Sequence, residues 1–232
     1  DQANVWYLGV QGGENYFDAQ VRLGLILAKQ DRLAEARTHL RSVRTRNAEE
    51  RALLVQAEAE LLAEDKRFDE AMSVYDQALQ AGFNSDVMYA RAMLAEKMDR
   101  LDILERDLRE ILDKDPDNAQ ALNALGYTLA DRTERFDEAH DLIKRALEIS
   151  PSDFYILDSM GWVLYRMGRL EEAEEFLRKA LVLRQDAEIA AHLGEVLWVK
   201  GDRNGANEVW NTALRETPGD GKLLDVIKRF KE

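Results

Sequence analysis

Apolar positions along the chain recur at steps of three and four residues, and this spacing predicts amphipathic helices. Residues 119–153 show the pattern clearly, in two runs separated by a short polar turn. The first run is Leu122, Leu125 and Leu129, and the second is Phe136, Ala139, Ile143 and Ala146. Two helices joined by such a turn bury their apolar faces against each other, so the segment is predicted to be a helical hairpin.

The hairpin pattern repeats with a period of about 34 residues, which predicts a repeat architecture. The markers that keep this period are Leu125-Gly126, Met160-Gly161 and Leu193-Gly194, then Ala139, Ala173 and Ala206, then Ala146, Ala180 and Ala213. Small residues allow two helix axes to approach closely, so Gly126 is expected to face Ala139 and Ala146 to face the next unit. Asn118 and Asp153 are predicted to cap first helices.

These residues resemble the tetratricopeptide repeat, whose pattern combines Leu-Gly, a turn Gly, two Ala flanking an aromatic or Leu, and Pro. Residues 154–186 match it with Leu157, Met160, Gly161, Leu164, Gly168, Ala173, Leu177 and Ala180. Residues 187–220 match it with Leu193, Gly194, Leu197, Gly201, Ala206, Trp210, Ala213 and Pro218. The resemblance implies an all-α fold, a right-handed superhelical α-solenoid of about six helical hairpins.

The predicted organisation is a single array over residues 1–232. Its repeats are residues 17–50, 51–84, 85–118, 119–153, 154–186 and 187–220. The first three fit less well, and the third carries Leu104 and Ile111 where the pattern has alanines. Larger side chains at those positions predict a splayed or bent hairpin.

Both ends of the array carry predictions of their own. Residues 1–16 have the spacing of a second helix whose first helix is missing, so that Trp6, Tyr7 and Val10 would lie bare. We therefore expect a fragment of a longer array. Residues 221–232 are predicted to form a capping helix with an apolar stripe on one side and basic residues on the other. The stripe is Leu223, Leu224, Ile227 and Phe230, and the basic residues are Lys222, Lys228, Arg229 and Lys231.

Charge and composition exclude several functional classes. The chain has 45 acidic and 32 basic residues, a formal net charge of −13 and no cysteine. An acidic chain is a poor nonspecific ligand for nucleic acid or anionic lipid, since both require lysine and arginine. No sequence run approaches the roughly 18 apolar residues of a membrane span.

Candidate chemistry is sparse, and the chain is interpreted as non-enzymatic. No phosphate-binding loop, Gly-x-Ser-x-Gly or His-Glu-x-x-His motif occurs. His39, His140 and His192 fall at unrelated positions of different repeats, so they are interpreted as surface or half-buried side chains rather than ligands. No catalytic residue, cofactor or metal site is predicted.

The resemblance implies that the first helices line a concave groove, which makes their inward positions the candidate partner-binding residues. These are Tyr89, Met93, Asn123, Tyr127, Tyr155, Asp158, Trp162, Tyr165, Arg166, His192, Glu195 and Trp198. Tyrosine and tryptophan are frequent anchors of protein interfaces. Trp210, Phe176 and Tyr75 lie on second helices and are assigned to the core. The basic residues of the carboxylate clamp found in some co-chaperones of this family are absent from the corresponding positions.

The last three repeats resemble the C-terminal half of proteobacterial tetratricopeptide outer-membrane lipoproteins, adaptors of a periplasmic carboxyl-terminal-processing protease. This resemblance implies a scaffold that binds and activates the protease and presents cell-wall hydrolase substrates. It also implies a place at the periplasmic face of the outer membrane and a lipid anchor upstream, although the sequence alone leaves the cytoplasm open. The alternatives are an envelope assembly factor, such as a pilotin-like protein or a cell-wall synthase partner, and the repeat arm of a larger enzyme.

Overall fold

A computed structural model of the chain describes residue 13 and residues 15–231. The prediction of a bare second helix within residues 1–16 rests on Trp6, Tyr7 and Val10, which lie outside the described residues. The described part contains helices and no strand, which confirms the all-α prediction. The helices are α1 (Tyr16–Lys29), α2 (Leu33–Ser42), α3 (Ala48–Glu64), α4 (Phe68–Gln80), α5 (Ser85–Lys97), α6 (Leu101–Lys114), α7 (Ala119–Arg132), α8 (Phe136–Ile149), α9 (Phe154–Arg166), α10 (Leu170–Leu183), α11 (Ala187–Lys200), α12 (Arg203–Glu216) and α13 (Gly221–Lys231).

The chain divides into two compact units, residues 1–111 (unit 1) and residues 112–232 (unit 2), and each is described by itself. In unit 1, α1 packs on α2 and α3 packs on α4. In unit 2 the pairs are α7 with α8, α9 with α10 and α11 with α12, and α13 packs on α11. No helix of the described residues is both long enough and apolar enough to cross a membrane.

First and second helices begin in different ways. A side-chain cap opens α3, α5, α7, α9 and α11, and it is Asn118 for α7 and Asp153 for α9, as predicted. Four second helices instead begin with an arginine that pairs with a glutamate three residues later. These pairs are Arg32–Glu35, Arg67–Glu70, Arg135–Glu138 and Arg169–Glu172.

Small residues bring the two helices of each unit 2 hairpin together. A Cβ placed on Gly126 would lie 2.6 Å from Ile143 Cγ1 and 3.0 Å from the Ala139 carbonyl oxygen, so the predicted approach of Gly126 to Ala139 is confirmed. At Gly194 the added Cβ would lie 1.9 Å from Trp210 Nε1. Trp210 fills the space that the glycine leaves and is fully buried, as predicted. Tyr75 is also buried, and Phe176 lies half-buried at the edge of the core.

The hairpin of α5 and α6 is more open than the other hairpins of unit 1. Leu104, Leu108 and Ile111 fill the space between its helices and are buried. Arg91 on α5 spans the gap by donating from Nε and Nη2 to the carboxylate of Asp107 on α6, at 2.7 and 2.9 Å. The leucine and isoleucine side chains therefore hold the helices apart, as the sequence predicts.

The predicted capping helix needs one correction. Leu223 is fully buried and Phe230 packs against Trp198 and Trp210, but Leu224 is exposed. The apolar stripe is thus narrower than the sequence indicates, because only one side of α13 meets α11 and α12.

Candidate protein-interaction site

The first helices of unit 2 lie side by side, because α7 packs on α9 and α9 packs on α11. Most of the predicted groove residues project from these three helices. The structure sorts them into a buried cluster, consisting of Tyr127, Asp158, Trp162 and His192, and an adjoining open groove.

The buried cluster is held together by a charged pair and stacked rings. His192 Nδ1 lies 2.9 and 3.0 Å from the two carboxylate oxygens of Asp158. The Trp162 ring stacks on the His192 ring with 4.3 Å between centroids, and the Tyr127 ring lies 6.3 Å from it. Asp158, Trp162 and His192 are all buried, so the interpretation of His192 as a surface or half-buried residue is wrong.

The Asp158 carboxylate determines the charge state of His192. Burial by itself lowers the pKa of His192, but the charge of Asp158, its hydrogen bond and the charges of Glu188 and Glu195 outweigh that effect. The net result is a raised pKa. The pair is therefore a folded-state interaction that depends on the protonation of the histidine.

The groove is a cavity of about 590 Å³ whose lining comes from α7, α9, α11, α13 and the turn before α10. Its lining residues are Asp131, Trp162, Tyr165, Arg166, Gly168, Leu170, Glu195, Val199 and Arg229. Trp162 belongs to both sets, since its ring stacks on His192 while its edge reaches the groove.

Two hydrogen-bonded groups supply the polar lining of the groove. In the first, Tyr165 Oη donates to Glu195 Oε1 at 2.9 Å, and Arg229 from α13 pairs with the same carboxylate. In the second, Trp162 Nε1 donates to Asp131 Oδ1 at 3.2 Å, and Arg166 Nη1 donates to the Asp131 carbonyl oxygen at 2.9 Å.

The Tyr165 hydroxyl is fixed as a hydrogen-bond donor. Burial raises the pKa of Tyr165, and both the charge of Glu195 and the hydrogen bond to it raise it further. The phenol therefore stays protonated throughout the neutral range.

The apolar lining comes from Leu170 and Val199 together with the two aromatic rings. Trp162 and Tyr165 lie 5.2 Å apart between centroids, and 48% of Val199 is exposed to solvent. An exposed valine beside two aromatic side chains is a contact surface that folding leaves open.

Several predicted groove residues lie elsewhere. Tyr89 and Met93 are half-buried on α5 of unit 1. In unit 2, Tyr155 is 58% exposed and packs on Phe154, with 4.2 Å between ring centroids. Asn123 is half-buried on α7, and its Oδ1 atom is buried without a hydrogen bond from any described residue.

Trp198 also lies away from the groove. Its ring stacks on Trp210 at 5.7 Å, contacts Phe230 at 6.1 Å and lies under the guanidinium of Arg203. The prediction that Trp198 points into the groove therefore needs revision, because α13 brings Phe230 against this ring. The neighbouring Val199 lines the groove instead.

Sequence reasoning missed Arg229, which it placed on the solvent side of α13. Arg229 pairs with Glu195 and Lys222 pairs with Glu188, and each pair is separated by 34 residues. That separation is the repeat period, so α13 lies in register as a further first helix. Reading residues 221–231 in that register would have placed Arg229 in the groove.

The groove holds both charges and apolar surface but no evident catalytic arrangement. Among residues 15–231, no three His, Asp or Glu side chains are placed so that they could hold a metal ion. The chemistry that the groove supports is noncovalent, with hydrogen bonds from guanidinium and phenol groups, hydrogen bonds to carboxylates, and apolar contact.

Solved structures share this fold. A tetratricopeptide repeat protein from Parabacteroides merdae has a TM-score of 0.72 at 16% identity, with 99% of this chain and 90% of that one covered. The thermophilic TPR protein TTC0263 of Thermus thermophilus has a TM-score of 0.65 at 22% identity, with 77% of this chain and 96% of that one covered. At these identities the likeness concerns the fold alone.

Sequence comparisons identify the family. The TPR repeat-containing protein PA4667 of Pseudomonas aeruginosa is 44% identical over 194 residues, which are 82% of this chain and 32% of that protein. The chain thus spans about a third of the length of this relative. Tetratricopeptide repeat models match residues 21–85 and 89–154, and another matches residues 132–193. The chain therefore belongs to the tetratricopeptide repeat family.

Proposed function

We propose that this chain is part of a non-enzymatic scaffold that binds a protein partner in the groove of unit 2. The observation that carries this proposal is the open cavity in which exposed Val199 lies beside Trp162 and Tyr165. Tyrosine and tryptophan provide large contact areas at low entropic cost, and they are enriched at the energetic centres of interfaces. Family membership supports the same function, since tetratricopeptide repeats generally serve as protein-interaction modules.

The finer proposal is that the scaffold is an adaptor of a periplasmic carboxyl-terminal-processing protease. Its support is the resemblance of the three repeats of unit 2 to the C-terminal half of such adaptors. The adaptor would bind and activate the protease and present cell-wall hydrolase substrates to it, at the periplasmic face of the outer membrane. These properties belong to a longer protein, since the chain spans only 32% of its Pseudomonas relative.

Two exposed valines of unit 2 provide a matched pair of variants. Val199 lines the groove and is 48% exposed, whereas Val182 is 82% exposed near the end of α10 and lies outside the groove lining. Val199→Glu places a carboxylate against the surface that we assign to the partner. Val182→Glu introduces the same charge on the same unit, and neither change removes a buried side chain.

The test is the affinity of each variant for the purified carboxyl-terminal-processing protease of the same genome, measured by calorimetry, together with the rate of substrate cleavage. We expect Val199→Glu to weaken binding at least tenfold, equivalent to about 1.4 kcal/mol, and to reduce activation. Val182→Glu should behave as the unsubstituted chain.

Two outcomes would contradict the proposal at different levels. If the unsubstituted chain does not bind the protease, the adaptor role is wrong. If it binds and the two variants are equally affected or equally unaffected, the partner uses another surface and the assignment of the groove is wrong.

A further inference from the structure

The charges lining the groove sum to zero, which limits the ligands it can take. The lining contains two carboxylates, Asp131 and Glu195, and two guanidinium groups, Arg166 and Arg229. Glu195 is occupied by Arg229 and by the Tyr165 hydroxyl. A charged ligand would therefore meet a repelling group for every attracting one.

The other two charged residues keep unused hydrogen-bonding capacity. Asp131 accepts one hydrogen bond on its carboxylate, from the neutral Trp162 indole. Among the described residues, no lysine or arginine nitrogen lies within 4 Å of that carboxylate. Arg166 donates one hydrogen bond, to the Asp131 carbonyl oxygen, and its guanidinium lies 5.1 Å from the Phe136 ring centroid. A guanidinium has five N–H donors, so most of those of Arg166 remain available.

This spare acceptor and spare donor lie next to each other, because Arg166 is bonded to the backbone of Asp131 itself. A polypeptide main chain carries the complementary groups, with one N–H donor and one C=O acceptor at nearly every residue. An extended segment can direct its N–H to the Asp131 carboxylate and its C=O to Arg166. Its side chains would then contact Leu170, Val199 and the rings of Trp162 and Tyr165.

We propose that the groove binds an extended, uncharged and apolar segment of the partner through its main chain, with Asp131 and Arg166 as the pair that reads it. This inference rests on the proposed function and adds the class of ligand. A partner with an acidic segment or a free terminal carboxylate would find Arg229 already engaged by Glu195. A basic segment would face Arg166 and Arg229.

The test begins with a phage-displayed library of random twelve-residue peptides panned against the whole chain. Selected peptides are synthesised with acetylated and amidated ends, and binding is measured by fluorescence anisotropy. We expect their common core to be rich in aliphatic and aromatic residues and poor in Asp, Glu, Lys and Arg. Capping the ends should leave the affinity unchanged.

A scan of the peptide backbone tests the role of Asp131 on the ligand side. Each peptide N–H is replaced in turn by N-methyl, and each analogue is measured with the unsubstituted chain and with Asp131→Ala. One position should lose about tenfold with the unsubstituted chain and lose little further with Asp131→Ala. Glu148→Ala, which removes an exposed carboxylate from α8, should keep the full penalty. Arg166→Gln should weaken every peptide about tenfold, and circular dichroism checks that each variant is folded.

The contradicting results are distinct from those that test the proposed function. The inference is overturned if no peptide is selected, if the core is charged, if capping abolishes binding, or if the N-methyl penalties are the same with Asp131→Ala. Charged peptides that lose affinity with Val199→Glu and keep it with Val182→Glu would leave the binding groove in place and refute only the ligand class.

Discussion

At the scale of single residues, the site depends on side chains that use one part of their surface for packing and another for the groove. Trp162 is the example, since its ring stacks on His192 while its Nε1 donates to Asp131 in the groove. The sequence predicts that Trp162 and His192 lie on the inward side of first helices. It does not predict that they contact each other, because that contact depends on how closely α9 and α11 approach.

The pair of His192 and Asp158 makes stability depend on pH. The pKa of His192 is raised in the folded state above its ordinary value of about 6.5, so folding is coupled to proton binding. The stabilisation is fully present below about pH 6.5 and is lost as the pH rises through the folded-state pKa. His192→Gln should cost about 3 kcal/mol at pH 6, because the buried Asp158 carboxylate loses its cation, and less at higher pH.

The measurement is urea unfolding of the unsubstituted chain and His192→Gln between pH 5.5 and pH 9. Asp158→Asn provides the second arm, since removing the carboxylate should flatten the same pH dependence. A difference in unfolding free energy that stays constant over this range would show that the two residues do not form a charged pair.

At the scale of helices and hairpins, one position of the repeat decides how closely the two helices pack. Ala173 and Leu104 occupy this position in the hairpins of α9–α10 and α5–α6. Ala173 is fully buried beside Gly161, whereas Leu104 is buried between helices that lie farther apart. The sequence predicts this difference because it follows from side-chain volume at a known position. It does not predict that α13 packs as a further first helix, since its ion pairs with α11 appear only in the folded register.

Exchanging the two residue types should therefore destabilise both hairpins. Leu104→Ala leaves a cavity and should cost about 2–5 kcal/mol. Ala173→Leu forces extra atoms into a close helix crossing and should cost about 1–3 kcal/mol. Urea unfolding of each variant measures both costs. If either substitution leaves stability unchanged, that hairpin is not packed as described here.

At the scale of the whole molecule, the fold could be predicted more completely than the site. A 34-residue period repeated in several independent markers identifies the repeat family and its all-α architecture. The groove could be predicted only in part, because inward position does not tell whether a neighbour covers a side chain. Trp198 is covered by Phe230 of α13, whereas its neighbour Val199 remains exposed.

The central claim is that this chain meets its protein partner in the groove of unit 2, and site-specific photocrosslinking tests it most directly. The photoreactive residue p-benzoylphenylalanine replaces Val199 in one sample and Val182 in another, and each is irradiated with the bound partner. Crosslinks from position 199 and few or none from position 182 are the expected result, although Val182 is the more exposed of the two (82% against 48%). Crosslinking from position 182 that equals or exceeds that from position 199 would contradict the account.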